Sequence, residues 1–238
     1  MEFSNPFTEY KSNLIAKESI ILLDTNICMY RTLALVEPKI YNRDHLDRSI
    51  NIIAFLTNNN LSCQIVISDI IESELKNNQV LFSEIRKFCV EKLGLTSRFR
   101  ILSLSKSAEK SIIKFIEKKR IDLQMSKVIK NYPLQMARVK NFYLQYPDRL
   151  QTITIDKIRN IGKEIDKQRK LLQRPNYLPE ESDLKLLCQA IECSQLYKQE
   201  VAILSNDRDF TEFKEEIFKE FKIKIICLED YDRLVESQ

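Results

Sequence analysis

The feature that most constrains the fold is a short apolar run at residues 20–23 that leads directly into Asp24. An apolar run of this length is typical of a buried strand in the middle of a parallel sheet. Comparable runs occur at residues 64–67, 201–204 and 223–228, and stretches with a helical spacing of apolar residues separate them. This alternation predicts an α/β protein with a central parallel sheet.

The chain has very few glycine and histidine residues, which excludes several kinds of enzyme. Gly94 and Gly162 are its two glycines, so it contains neither a phosphate-binding Walker loop nor a dinucleotide-binding glycine motif. His45, the single histidine, is expected on the surface, and a pair of histidines acting as acid and base is excluded. No two of the six cysteines form a C-x-x-C pair, so a zinc site is not expected. Any catalysis would depend on carboxylates, hydroxyl groups, lysines or a metal ion.

Composition also predicts a reduced, cytoplasmic protein without a membrane segment. Most cysteines lie in apolar runs, as small core residues of a reduced protein do. No stretch reaches the roughly 18 apolar residues of a membrane span. The polar residues 1–17 do not have the pattern of a signal peptide.

Charge is distributed unevenly along the chain. Between residues 76 and 175 there are 24 lysines and arginines against 9 acidic residues, whereas the rest of the chain has 14 against 25. A basic block between acidic flanks favours a surface that attracts a polyanion, next to a group of metal-binding carboxylates.

Four acidic residues occur at equivalent places in the predicted fold. Asp24 and Asp207 each follow a strand, and Glu74 and Asp183 lie early on helices next to strands. Each of them could simply cap a helix or lie on a solvated helix face. In a parallel sheet, however, all four positions come to the same edge, where the carboxylates would raise each other's pKa. A divalent cation relieves this repulsion, and all-oxygen ligands select Mg²⁺ or Mn²⁺, an arrangement suited to phosphodiester hydrolysis.

The segments that carry these acids resemble those of the PIN-domain nucleases. The matching segments are residues 20–26, residues 68–75, Asp183 with the apolar residues behind it, and residues 204–210. The resemblance implies a three-layer α/β/α sandwich with a central parallel sheet, and metal-dependent cleavage of RNA. It places Asp24, Glu74, Asp183 and Asp207 at the catalytic positions, with the metal ion on Asp24, Asp183 and Asp207. It gives a supporting polar role to Asn26, Ser205, Asn206 and Asp209.

The basic block makes the chain more similar to the larger PIN-like proteins than to the small toxins of the family. We expect a single domain over residues 1–238, with residues 95–178 forming a basic, all-helical insertion, although residues 99–104 on their own read as a short strand or an extended link. The insertion is predicted to contact nucleic acid, RNA rather than DNA by the resemblance. The residues expected to make this contact are Lys118, Lys119, Arg120, Lys127, Lys130, Arg138 and Lys140. A compact nuclease of this kind could serve as a toxin or a defence effector, with an inhibitory partner protein, and could form a homo-oligomer.

Several alternatives remain open at the level of the sequence. Glu72 or Asp69 could take the place of Glu74, and Asp209 that of Asp207. The chain could also be a catalytically inactive PIN-like module that binds nucleic acid or a protein. Phosphatases of the haloacid-dehalogenase type also begin with an apolar strand and an aspartate. They require a second aspartate two residues later, and this chain has Asn26 there.

Overall fold

The structure, a computed structural model, describes residues 15, 19–39, 44–58, 61, 63–119, 132–161 and 164–236. Over these residues the chain is an α/β protein built on a four-stranded parallel sheet, as the sequence predicts. The strands lie in the order β2-β1-β3-β4. Their bounds are Ile20–Leu23 for β1, Gln64–Val66 for β2, Val201–Leu204 for β3 and Lys224–Ile226 for β4.

The two central strands fix the position of the candidate site. All residues of β1 and β3 are buried, which explains why both are uninterrupted apolar runs. The strands pair in parallel with Leu23 opposite Leu204, and the Asp24 amide donates to the Leu204 carbonyl at 3.0 Å. Asp24 and Ser205 therefore leave the sheet side by side at its carboxyl edge.

Helices make up most of the described chain. Their bounds are Thr25–Val36 (α1), Asp44–Asn58 (α2), Asp69–Lys76 (α3), Asn78–Leu93 (α4), Arg98–Lys119 (α5), Tyr132–Tyr143 (α6), Pro147–Ile161 (α7), Ile165–Leu172 (α8), Glu181–Tyr197 (α9), Arg208–Thr211 (α10), Lys214–Phe221 (α11) and Tyr231–Glu236 (α12). Two short 3₁₀ turns, Pro175–Tyr177 and Leu228–Asp230, complete the described elements.

Local signals explain where several helices begin and end. Ser68 caps α3 by accepting a hydrogen bond from the Ile71 amide, and α4 ends at Gly94, whose φ of 61° suits glycine. Pro133 and Pro147 lie in the first turns of α6 and α7, where a proline needs no hydrogen-bond donor. The prolines thus begin helices and divide the basic block as the sequence predicts.

One local prediction was wrong. Residues 99–104 read as a short strand or an extended link, but they form the beginning of α5. Ile101, Ser105, Ala108 and Ile112 are buried at intervals of three and four residues, which is the period of a helix. The period becomes visible only when the window extends well beyond residue 104.

Three helices of the basic block, α5, α6 and α7, share one core with the sheet. Ile112 of α5, Phe142 of α6 and Leu150 of α7 belong to the same cluster of buried apolar residues as the strands. All six cysteines are buried and none of them forms a disulfide bond, in agreement with their predicted place in the core. None of the helices in the described ranges has the length and apolar character that crossing a membrane requires.

Candidate metal centre

Asp24 lies at the centre of a hydrogen-bonded network between the ends of β1 and β3. Its side chain is 4% exposed. One carboxylate oxygen, Oδ1, accepts from the Thr25 amide at 2.6 Å. The other, Oδ2, accepts from Asn26 Nδ2 at 2.7 Å and from the Ser205 hydroxyl. Asn26 Oδ1 in turn accepts from the Asn206 amide at 3.1 Å. Asp24 is therefore both the cap of α1 and a side chain held in one orientation by neutral donors.

Glu74 reaches the site from α3, the helix that follows strand β2. Glu74 Oε2 accepts a hydrogen bond from the Thr25 hydroxyl, next to Asp24. Glu72 instead forms an ion pair with Lys76 on the same helix. Asp69 accepts from Gln189 of α9 and so joins α3 to that helix. Of the three acids that the sequence left open, Glu74 is the one bonded beside Asp24.

Three aspartates meet on the other side of Ser205. Asp183 lies in the first turn of α9, and Asp207 and Asp209 lie at the start of α10. One carboxylate oxygen from each falls within 4.8 Å of those of the other two. The Ser205 hydroxyl, which donates to Asp24, also accepts from the Asp207 amide at 2.9 Å, so it connects the two sides.

We call Asp24, Glu74, Asp183, Asp207 and Asp209 the acid cluster. Burial, followed by the charges of Asp207 and Glu74, raises the pKa of Asp24 to about 7, although the hydrogen bond from Ser205 opposes the shift. Burial, with the charges of Asp207 and Asp24, raises the pKa of Asp183 well above its usual range. Burial also raises the pKa of Asp209. The carboxylates of the cluster are thus close enough to oppose each other's ionisation.

Two basic side chains enter the acid cluster from outside the sheet. Lys157 of α7 places its Nζ atom 2.7 Å from Asp207 Oδ1 and 2.7 Å from Asp209 Oδ2. The geometry at Asp209 Oδ2 is not that of a directed hydrogen bond, so this contact is an ion pair held by proximity. Arg174 Nη1 lies 3.5 Å from the same oxygen. Burial lowers the pKa of Lys157, but the charges of Asp209 and Asp207 more than offset this and raise it.

Contacts of residues that precede Lys157 hold α6 and α7 against the elements that follow β3. Arg208 Nη1 lies 2.8 Å from Asp156 Oδ2, and Arg149 Nη1 lies 2.6 Å from Glu216 Oε1. Tyr143, buried at the end of α6, donates its hydroxyl to the Asp209 carbonyl at 2.9 Å. These contacts position the backbone of Lys157, and the ion pairs with Asp207 and Asp209 position its ammonium.

The acid cluster fits a hard divalent cation. Every candidate ligand is a carboxylate oxygen, which is the donor that Mg²⁺ and Mn²⁺ prefer. The raised pKa values of Asp24 and Asp183 show that the protein alone compensates their charges incompletely. In the described part of the chain, the Asp183 carboxylate accepts no hydrogen bond and forms no ion pair, and Asp207 Oδ2 accepts no hydrogen bond. These oxygens are available to a metal ion.

The residues predicted to contact nucleic acid lie in different environments. Lys118 and Lys140 are exposed, and Lys119 is half-buried at the end of α5, where its carbonyl accepts from the Ile67 amide at 3.0 Å. Arg138 is paired with Glu220 at 2.9 Å and lies over the ring of Phe221. Arg120, Lys127 and Lys130 lie outside the described residues.

Sequence reasoning missed Lys157, Arg174 and Thr25 as members of the site. Lys157 and Arg174 are two of 24 basic residues in the block, and no local pattern distinguishes them. Thr25 could have been noticed because it follows Asp24 directly. His45 is exposed as predicted, but its Nδ1 atom lies 3.1 Å from Asn206 Nδ2, at the border of the site.

Comparison with protein-family models, with curated proteins and with solved structures gives no match for this chain. The function is therefore argued from the residues of the site and their arrangement.

Proposed function

We propose that this chain is a divalent-metal-dependent nuclease with a PIN-like fold that hydrolyses phosphodiester bonds, in RNA rather than DNA. One observation carries the proposal: acids from distant parts of the chain come together at the carboxyl edge of the sheet. Asp183, Asp207 and Asp209 each place a carboxylate oxygen within 4.8 Å of the other two, and the charge of Asp24 interacts with Asp183 and Asp207. Ligands of open α/β sheets bind at this edge. A parallel sheet surrounded by helices is compatible with the three-layer sandwich of that fold.

Each residue of the cluster has a role that follows from its contacts. Asp24, Asp183 and Asp207 would hold Mg²⁺ or Mn²⁺, which when bound supplies an activated water and neutralises charge on the phosphate. Asn26 and Ser205 orient the Asp24 carboxylate through their hydrogen bonds. Such supporting bonds keep ligands in one orientation and raise metal affinity.

Glu74 and the surrounding charges complete the proposed site. Glu74 accepts from Thr25 beside Asp24 and is placed to hold a proton released near that carboxylate. The exposed residues Lys118 and Lys140 are candidates for contacts with the phosphate backbone. The proposal extends to a cytoplasmic protein that acts as a toxin or defence effector, is restrained by a partner protein and forms a homo-oligomer.

One observation favours a second candidate function, an inactive PIN-like module that binds nucleic acid or protein without cutting. Lys157 pairs with Asp207 and Asp209 and so compensates part of the acidic charge without a metal ion. A titration with Mn²⁺, followed by thermal unfolding, separates the two candidates. A rise in the melting temperature supports the nuclease, and an unchanged melting temperature supports the inactive module.

The Asp24→Asn variant tests the nuclease directly. Loss of a supporting contact in a metal site typically costs 10- to 100-fold, so loss of a direct ligand should reduce activity by about 100-fold or more. The assay uses a fluorescent single-stranded RNA and a DNA of the same sequence, with Mn²⁺ or with EDTA. We expect metal-dependent cleavage of the RNA by the natural protein and almost none by the variant.

Asp166→Asn is the matched control, because Asp166 is an exposed aspartate on α8 outside the acid cluster. It should cleave at the rate of the natural protein. Equal cleavage by Asp24→Asn and Asp166→Asn, or full activity in EDTA, would contradict the proposal.

A further inference from the structure

The acid cluster contains a cation of its own. Five carboxylates face two described basic side chains, Lys157 and Arg174, and Arg174 is shared with Glu180 outside the cluster. Lys157 is the more central of the two, since its ammonium bridges Asp207 and Asp209. It occupies the side of the cluster that faces the helical block.

The two oxygens of the Asp207 carboxylate have different contacts. Oδ1 accepts from Lys157 Nζ at 2.7 Å and from the Asp209 amide at 2.8 Å. Oδ2 accepts no hydrogen bond from the described part of the chain. The carboxylate of Asp207 thus has one oxygen engaged by Lys157 and one available to a metal ion.

The ammonium lies where a second metal ion would have to bind. In sites with two metal ions, the ions lie about 3.5–4 Å apart, close enough to share the charge of the same carboxylates. With one ion on Asp24, Asp183 and Asp207, a second ion would bind Asp209 and share Asp207, and both of these acids are already in contact with Lys157. A second divalent ion there would be repelled by the ammonium at short range.

We propose that Lys157 takes the place of one cation in the acid cluster and limits this chain to a single divalent ion. This inference rests on the proposed metal-dependent function and specifies how that site is regulated by the helical block. Contacts of Arg149 and Asp156 hold α7 in place, and the ion pairs with Asp207 and Asp209 hold the ammonium within the acid cluster. The basic block therefore contributes a charge to the site itself as well as a basic surface.

The number of bound ions is the readout. The metal-free protein is titrated with Mn²⁺, and free Mn²⁺ is measured by electron paramagnetic resonance to give ions bound per chain. We expect one ion for the natural protein, two for Lys157→Met, which has similar length and no charge, and one for Lys157→Arg, which keeps the charge. Circular dichroism and thermal unfolding without metal verify that each variant is folded.

Lys214→Met is the matched control. Lys214 forms an ion pair with Asp230 and its side chain is 20% exposed, against 19% for Lys157. We expect this variant to bind one ion, because Lys214 lies outside the acid cluster. Should Lys157→Met not fold, Lys157→Gln and the natural protein are titrated instead, and the natural protein must still bind one ion.

Two results would overturn the inference alone: two ions bound by the natural protein, or the same number bound by Lys157→Met and the natural protein. In both cases metal binding and RNA cleavage by the natural protein would persist, so the proposed nuclease would stand. Absence of Mn²⁺ binding by the natural protein, together with absence of cleavage, would overturn both.

Discussion

Two partly buried lysine–aspartate contacts at the carboxyl edge of the sheet differ in the number of acids around the lysine. Lys214 faces Asp230, whose Oδ2 atom lies 2.7 Å from the ammonium and also accepts from the Cys227 amide at 2.8 Å. Lys157 is equally buried but faces Asp207 and Asp209, with Asp183 beside them. Asp230 and Asp207 both follow a strand of the sheet, so their positions in the fold are similar.

The number of carboxylates around the lysine distinguishes a structural ion pair from a candidate metal site. At Lys214, one buried carboxylate faces the ammonium and the more distant Arg233 guanidinium, and it also accepts from the Cys227 amide and thiol. The cations there outnumber the acid. At Lys157, the acids outnumber the cations, and burial keeps the pKa of Asp183 and Asp209 raised. An aspartate after a strand is thus weak evidence by itself, whereas an excess of buried carboxylates points to a cation.

The largest loss of stability is expected when the ion pair between Lys214 and Asp230 is removed. Asp230→Asn leaves the Lys214 ammonium buried without its counter-charge, which should lower the free energy of unfolding by about 3–5 kcal/mol. Urea unfolding followed by circular dichroism measures this loss. The gain in stability on adding Mn²⁺ should equal that of the natural protein, and loss of that gain would show that the two clusters are not independent.

The pH dependence of the free energy of unfolding, measured on the metal-free protein, tests whether the acid cluster holds more carboxylates than its cations compensate. Asp24 has an ordinary pKa when unfolded and a pKa raised to about 7 when folded. Its contribution is therefore fully present below about pH 4 and lost as the pH rises through 7, so unfolding should become easier by about 2–3 kcal/mol between pH 5 and pH 8. The Asp24→Asn variant should lose less stability between these two pH values. Urea unfolding at pH 5 and at pH 8 measures the difference for both proteins. An equally steep decline in the variant would show that Asp24 is not the source.

A smaller effect of opposite sign is expected at Asp183. In metal-free buffer at pH 8, Asp183→Asn removes a half-buried carboxyl group whose pKa is raised by burial and by the charges of Asp207 and Asp24, and it should stabilise the protein by about 1–2 kcal/mol. With Mn²⁺ present the order should reverse, because the natural protein gains binding energy and the variant does not. Thermal unfolding with and without Mn²⁺ measures both. If the variant is less stable than the natural protein in EDTA, Asp183 stabilises the fold without a metal ion, as Asp230 does.

Much of the fold follows from local patterns. The apolar runs at residues 20–23 and 201–204 correspond to β1 and β3, because a strand buried on both faces has no polar side to alternate with. The caps at Ser68 and Gly94 also follow from residue type. The start of α5 was missed because six residues are too few to distinguish the period of a helix from that of a strand.

The sequence by itself determined which residue types stand at the ends of the strands, since that depends on neighbours within a few positions. It could not determine which acids meet. Asp24 and Ser205 are 181 residues apart and are joined only by the pairing of β1 with β3. The packing of α3 likewise decides that Glu74 lies beside Asp24. The packing of α7 decides that Lys157 enters the acid cluster. The tertiary structure alone decided these points, because charges separated widely in sequence interact only after folding brings them within a few ångströms in a medium of low dielectric constant.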